Sequence, residues 1–100
     1  DMSEHCPLPS QIKEISRSND YCYYEATNTQ GRHFMQSRYV DKCQDIKTLM
    51  FNHDATIYYR SGHADNYDIY TLKCAYSSPQ NYLLYLQTNF ISLGKLNSFK

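Results

Sequence analysis

The stretch YDIYTLKCAY, residues 67–76, decides how the rest of the chain is interpreted, because large apolar side chains occupy neighbouring positions in it. In a β-strand, successive side chains point to opposite faces of the sheet. One face of this segment then carries Tyr70, Leu72, Cys74 and Tyr76, and the other carries Tyr67, Ile69, Thr71, Lys73 and Ala75. Apolar groups on both faces indicate a central strand of a packed sheet, since a strand that borders water usually has one polar face.

Other segments have the alternation or the composition of β-strands. They are 11–17, 21–27, 55–60 and 82–88, with shorter strands predicted at 32–37 and 46–51. The first two surround the turn-prone Ser18-Asn19-Asp20, which predicts a hairpin. Residues 40–50 repeat apolar side chains at three-to-four spacing, which is typical of a helix. The sequence therefore predicts a mainly β fold, a small disulfide-bonded antiparallel sandwich or barrel-like sheet that allows one short helix around 40–50.

Length and charge narrow the class of protein. No repeat or linker divides residues 1–100, so we expect a single domain. Ten Lys and Arg residues balance ten Asp and Glu residues, which argues against nucleic acid as the partner, because that binding depends mainly on neutralising phosphates. No run approaches the roughly 18 apolar residues that a transmembrane helix needs. No motif indicates a bound cofactor.

Four cysteines point to the compartment. Cys6, Cys22, Cys43 and Cys74 contain no CxxC pair, so their spacing fits neither a zinc ribbon nor a thioredoxin-type motif. An even number in a short chain indicates two disulfides in an oxidising compartment, whereas four buried free thiols would fit a cytosolic protein. The chain starts at Asp1 and not at Met, which fits an exported protein after removal of its signal peptide. We expect a secreted or periplasmic protein, and the absence of N-x-Ser/Thr sequons favours a bacterial source.

Four cysteines allow three connectivities. In the predicted hairpin Cys6 lies beyond the end of the second strand, which disfavours a Cys6–Cys22 bridge. Of the other two, Cys6–Cys74 with Cys22–Cys43 is favoured, because closing the longer loop stabilises by up to about 4 kcal/mol in the chain-entropy model. Pairing of Cys6 with Cys43 and of Cys22 with Cys74 stays open at this point.

A series of residues runs through most of the chain: Cys6-Pro7, Ile12, Tyr24-x-Ala26, Phe34, Leu49-x-Phe51-x3-Ala55, Leu72-x-Cys74-x-Tyr76 and Leu84-x-Leu86. This series, over about residues 5–86, resembles a family of small exported domains of unknown function from gammaproteobacteria, including Legionella-like intracellular pathogens. The resemblance implies a compact β-rich fold, a cleaved signal peptide, a Cys6–Cys74 disulfide and an action on a host. It implies no catalytic residues.

Eleven tyrosines, with no tryptophan, are the most unusual feature of the composition. Tyrosine provides a large amphipathic contact area and loses little conformational entropy when it is bound. In the predicted strands Tyr21, Tyr23 and Tyr58 point away from the core, and Arg60 borders Tyr58. We expect these four residues to bind a host or cell-surface protein, glycan or lipid without catalysis. The alternative is that they only form cross-strand pairs within the sheet.

Two other functions are compatible with the sequence. His63, Asp65 and Asp68 lie close together in the chain and could hold zinc or calcium, although the calcium-loop pattern D-x-[DN]-x-[DN]-G is absent. A small hydrolase could use Glu14 and Glu25 if the two carboxylates met across the hairpin. An inhibitor that inserts residues 61–66 into a target enzyme is a further alternative.

Overall fold

The computed structural model describes residues 2–38, 41–61 and 67–93. Seven antiparallel strands form one sheet: β1 (Ile12–Ser18), β2 (Tyr21–Thr27), β3 (His33–Gln36), β4 (Asp41–Lys42), β5 (Met50–Ser61), β6 (Tyr67–Ser77) and β7 (Leu83–Leu93). The strand order is β1-β2-β3-β7-β6-β5, and β4 pairs with β2. The mainly β, disulfide-bonded antiparallel fold is therefore confirmed, and β6 lies between two other strands, as its two-sided apolar pattern predicted.

The helical pattern at 40–50 forms only one 3-10 turn, Ile46–Thr48. The Asp45 carboxylate accepts a hydrogen bond from the Lys47 backbone N–H at 3.1 Å and caps this turn. Asp41, within the same segment, pairs with β2 as part of β4. Tertiary pairing thus overrides a weak local periodicity. The other short 3-10 turns are Ser3–His5 and Pro9–Gln11.

Two β-bulges interrupt the regular strand pairing of the sheet. Between Glu14 and Ser16 a bulge shifts the register by one residue, so Arg17 lies opposite Cys22 on the turn side of the bulge and Glu14 lies opposite Tyr24 beyond it. The turn is then the two residues 19–20, with Asn19 in the left-handed region (φ 54°) that asparagine tolerates better than most residues. A second bulge interrupts β5 between Phe51 and Ala55, around His53 (φ 55°).

One face of the sheet is buried and contains the core. Its largest fully buried side chains, each less than 2 % exposed, include three tyrosines and four other apolar residues, namely Tyr24, Tyr70, Tyr76, Phe34, Leu72, Leu84 and Leu86. These residues occupy alternate positions of β2, β3, β6 and β7, as period two requires. The N-terminal segment lies over this face, because the Cys6–Cys74 disulfide joins it to the middle of β6.

Polar contacts hold the same segment in place. The buried Tyr76 hydroxyl donates a hydrogen bond to the Pro7 carbonyl, and Asn28 Nδ2 donates to the His5 carbonyl at 2.8 Å. At the other end of the core, the Tyr24 hydroxyl donates to the Gln44 carbonyl and accepts from the Gln44 N–H, at 3.2 and 2.6 Å. Tyr24 and Tyr76 therefore act as core residues whose polar ends are hydrogen-bonded.

The second disulfide, Cys22–Cys43, joins β2 to the segment after β4. The two bridges are the favoured connectivity, and all four cysteines are paired. Their sequence separations differ, 68 residues for Cys6–Cys74 and 21 residues for Cys22–Cys43.

Removing the two disulfides separately should give unequal losses of stability. The chain-entropy model gives about 4 kcal/mol for the 68-residue loop and about 3 kcal/mol for the 21-residue loop. We expect C6A/C74A to have a free energy of unfolding about 1 kcal/mol lower than that of C22A/C43A. Urea unfolding of both variants measures this difference, and a larger loss from C22A/C43A would contradict it.

Alkaline pH should weaken the fold through Tyr76. Burial raises the pKa of the Tyr76 hydroxyl above the ordinary tyrosine value of about 10. A group whose pKa is raised by folding contributes its full stabilisation below that ordinary value, and the contribution falls as pH rises above it. We expect Y76F to be destabilised by roughly 1 kcal/mol at pH 7, where it lacks the hydrogen bond to Pro7, but to lose less stability than wild type above about pH 10.

Urea unfolding at a series of pH values from neutral to alkaline, with the disulfides intact, measures both effects. The other tyrosines are present in both proteins, so the difference between the two pH profiles isolates residue 76. Parallel profiles for wild type and Y76F would contradict this role.

Candidate functional site

The face of the sheet opposite the core is called the open face here. At its centre Lys73 of β6 lies directly between Thr56 of β5 and Gln87 of β7. Two tyrosines flank it diagonally, and Lys73 Nζ is 4.7 Å from the ring centroid of Tyr85 and 5.9 Å from that of Tyr58. Both distances are within the roughly 6 Å range of a cation–π contact. We call Tyr58, Lys73 and Tyr85 the Tyr-Lys-Tyr cluster.

Strand pairing explains why these three side chains meet. Tyr58 pairs with Thr71 and Tyr85 pairs with Ala75, so each tyrosine is two residues out of line with Lys73 on a neighbouring strand. Such diagonal neighbours are about 7–8 Å apart at their backbones, a distance that long side chains can cross. Small side chains at Ala75 and Thr71 leave the space above the strand to the rings.

A groove of about 480 Å³ lies over the cluster. Beyond the cluster, its lining includes Arg38, Asp54 and Gln87, with Ser37, Thr56 and Ala75 between them. Asp54 ends the β5 bulge, which brings its carboxylate beside Thr56 on the open face. The lining therefore combines two aromatic rings, two cations, one carboxylate and one amide. This chemistry can stack against a ring and form directional hydrogen bonds in the same place.

The strand order separates the four binding residues predicted from the sequence into two groups, Tyr58 with Arg60 and Tyr21 with Tyr23. Tyr58 lines the groove, and the exposed Arg60 follows it on the same face of β5. Tyr21 and Tyr23 belong to β2, with β3, β7 and β6 between them and β5. Four inter-strand spacings of about 4.8 Å place the two groups roughly 19 Å apart. They share a face but do not form one site.

The surroundings of Tyr21 differ from those of Tyr58. Tyr21 is exposed and pairs with Lys42 of β4. Lys42 Nζ donates a hydrogen bond to the Tyr82 hydroxyl at 3.1 Å, and this contact raises the pKa of Lys42. Tyr23 is half-buried. At this end of the sheet the cation is therefore already hydrogen-bonded to a neighbouring phenol.

Sequence reasoning missed Lys73, Tyr85, Gln87, Arg38 and Asp54 as members of the site. For Lys73 the sequence did contain an indication, because side chains alternate along a strand and Lys73 must point to the face opposite Cys74. The local sequence pattern does not show which residues of β5 and β7 lie beside Lys73, because this depends on the pairing register between the strands.

The predicted metal ligands are only partly within the described residues. His63 and Asp65 lie outside them. Asp68 lies within β6, where its Oδ1 accepts a hydrogen bond from the Tyr59 hydroxyl at 2.9 Å. Zinc or calcium binding through His63, Asp65 and Asp68 stays a prediction.

One other group of metal-ligating residue types occurs among the described residues, Glu14 with Cys22 and Cys43, whose ligand atoms lie within 4.8 Å of one another. Both sulfurs belong to the same disulfide, so neither can act as a thiolate ligand. The Glu14 carboxylate is instead bound by the Arg17 guanidinium at 2.8 Å. The group is therefore an ion pair beside a disulfide in the oxidised protein.

The carboxylate pair considered for a hydrolase does not form. Lys13 lies opposite Glu25 and Glu14 lies opposite Tyr24, so the two glutamates occupy adjacent register positions and point to opposite faces. Glu25 is bound by His33 on the open face, with Nε2 and Oε1 2.8 Å apart. The expectation that Glu14 and Glu25 meet across the hairpin is wrong, because neighbouring positions of a strand alternate in direction.

Comparison of the chain with protein-family models, with curated proteins and with solved structures gave no match. The resemblance to small exported gammaproteobacterial domains therefore stays a prediction. In the part of the chain that the structure describes, no helix has both the length and the apolar character needed to cross a bilayer.

Replacing Lys73 should lower stability through loss of its two ring contacts. Cation–π contacts at partly exposed sites contribute about 0.5–1 kcal/mol, so we expect K73Q to lower the free energy of unfolding by about that amount. Lys47 is an exposed lysine on the 3-10 turn and makes no ring contact with a described residue, so K47Q is the matched control. Equal free energies of unfolding for K73Q and K47Q would show that the rings do not hold Lys73.

Proposed function

We propose that this protein is a secreted, non-enzymatic binding module that holds an acidic glycan in the open-face groove. The Tyr-Lys-Tyr cluster carries this proposal, because it combines two partly exposed rings with a cation at the floor of one groove. The groove volume of about 480 Å³ is within the range of roughly 300–1,000 Å³ that is common for ligand sites. Two disulfides fit a protein that works in an oxidising compartment.

The ligand class follows from the lining. A sugar ring presents C–H groups on one face and hydroxyls around its edge, so it suits a site with aromatic rings and polar neighbours. Arg38 and Lys73 supply two positive charges against the single carboxylate of Asp54, which favours a sugar with a carboxylate or sulfate group. An acyl chain would leave these charged groups without water, and burying them unpaired is unfavourable. A glycan is therefore preferred over a lipid.

The groove is partly open to solvent and not an enclosed cavity, which suits a segment of a longer chain more than an enclosed small molecule. Arg38 offers a planar guanidinium that can bind a carboxylate or sulfate with two hydrogen bonds. Gln87 and Asp54 can accept or donate hydrogen bonds at the edge of a sugar ring. Each residue in this role binds or orients the ligand, and the proposal needs no bond to be made or broken.

Binding should depend on Tyr58 and Tyr85 and not on Tyr21. Isothermal titration with an acidic oligosaccharide and with its neutral counterpart measures this directly. We expect Y58A and Y85A each to weaken binding of the acidic sugar roughly tenfold, the equivalent of about 1.4 kcal/mol, and K73E to remove the preference for the acidic sugar. Tyr21 is 55 % exposed and Tyr58 is 52 % exposed, so Y21A is a control that removes the same exposed side chain from the same face.

Equal weakening by Y21A and Y58A would reject the groove as the site. Retention of full affinity by Y58A and Y85A would do the same. Tight binding of a host protein that Y58A abolishes, without any sugar binding, would keep the groove but replace the glycan with a protein surface.

A further inference from the structure

Strand β5 is an edge of the sheet, and among the described strands it pairs only with β6. After the bulge that ends at residue 54, its pairing with β6 is regular from Ala55 to Ser61. Along its other side, β5 therefore pairs with no other described strand. Such an edge is a template for pairing with another strand unless the sequence protects it.

The two edges of the sheet are not equally protected. Strand β1 has a bulge in its middle, between Glu14 and Ser16, and charged residues along its length. The regular part of β5 instead contains Thr56, Ile57, Tyr58 and Tyr59, which are β-branched or aromatic, and three of them are exposed. These residue types favour strand pairing. The free edge of β5 is thus the more suitable of the two for a further strand.

We propose that β5 pairs antiparallel with β5 of a second copy of this chain, about a two-fold axis at Ile57. In this register Thr56 lies opposite Tyr58 of the second copy, and Ala55 lies opposite Tyr59. A small side chain then faces a large one, and a β-branched side chain faces an aromatic one, which are favourable cross-strand pairs. A two-fold axis makes both halves of the interface equivalent.

Charge complementarity selects the register. Centred on Ile57, the pairing places Asp54 opposite Arg60 of the second copy, and Arg60 opposite its Asp54. Both side chains are exposed, and neither forms an ion pair within the described part of the chain. With the axis at Thr56, Asp54 would lie opposite Tyr58 and Arg60 would lie opposite Asn52. With the axis at Tyr58, Asp54 would lie opposite a position beyond Ser61, and Arg60 would lie opposite Thr56. Only the register centred on Ile57 forms two charge pairs.

This pairing has a consequence for the shape of the molecule. An axis perpendicular to the sheet joins two seven-stranded sheets with their open faces on the same side. The two grooves over Tyr58 and Asp54 then lie on either side of the axis, on one continuous surface. The dimer does not depend on what the groove binds, so the two proposals can fail separately.

Sedimentation equilibrium of the full chain with intact disulfides tests the proposal. We expect a concentration-dependent dimer whose dissociation constant rises roughly tenfold or more in D54R and in R60D, since each places two like charges opposite each other. The double variant D54R/R60D restores both pairs in reversed order and should dimerise like wild type. An equimolar mixture of D54R and R60D should form a heterodimer more tightly than either variant forms a homodimer, because both of its pairs are then of opposite charge.

K13D, which reverses one charge on the opposite edge strand β1, should leave the dissociation constant unchanged. Hydrogen exchange of wild type gives a second readout without any substitution, because edge amides of 55–61 should become protected as the protein concentration rises. A monomer at every accessible concentration would overturn the proposal. So would a dimer that does not respond to D54R and R60D, or one that K13D weakens in their place.

Discussion

The Cys6–Cys74 disulfide is the constraint on which the rest of the structure depends. It fastens the N-terminal segment to the middle of the central strand β6, and the Tyr76 hydroxyl holds the adjoining Pro7 carbonyl. This segment covers one face of the sheet, and all strands of the described residues belong to that one sheet. A chain of this size buries only about two-thirds of the surface of its unfolded form. A covalent link at the centre of the core therefore contributes a large part of a small net stability.

The segment covers one face of the sheet, and the other face exposes residues such as Thr56 and Tyr58 to solvent. The strands that bury Leu72, Cys74 and Leu86 on one side present Lys73, Tyr85 and Gln87 on the other. The same alternation that builds the core thus positions the groove. Tyrosine suits both faces, since Tyr76 is completely buried while Tyr58 is half exposed. This explains why so many tyrosines occur in one chain without forming one surface.

Local pattern predicted the elements but not their neighbours. The alternation around Tyr24 predicted a strand with the correct buried face, segments 67–76 and 82–88 were correctly predicted as strands, and loop closure favoured the observed disulfides. The separation of Tyr23 from Tyr58 depends on the insertion of β3 and β7 between β2 and β6, and strand order is a long-range property. The two bulges and the shortening of the helix at 40–50 to the 3-10 turn Ile46–Thr48 likewise accompany pairing with other strands. The groove lies where three strands meet, and for that reason most of its residues were not predicted.

We propose that the open-face groove, and not the tyrosines of β2, is the surface that binds a ligand. A titration of the isotope-labelled protein with an acidic oligosaccharide, followed by nuclear magnetic resonance, tests this claim most directly. If the groove binds the sugar, the resonances of the backbone amides around Tyr58, Lys73 and Tyr85, on three neighbouring strands, should shift during the titration. Shifts confined to the region of Tyr21 and Tyr23, with the amides of the groove unchanged, would contradict it.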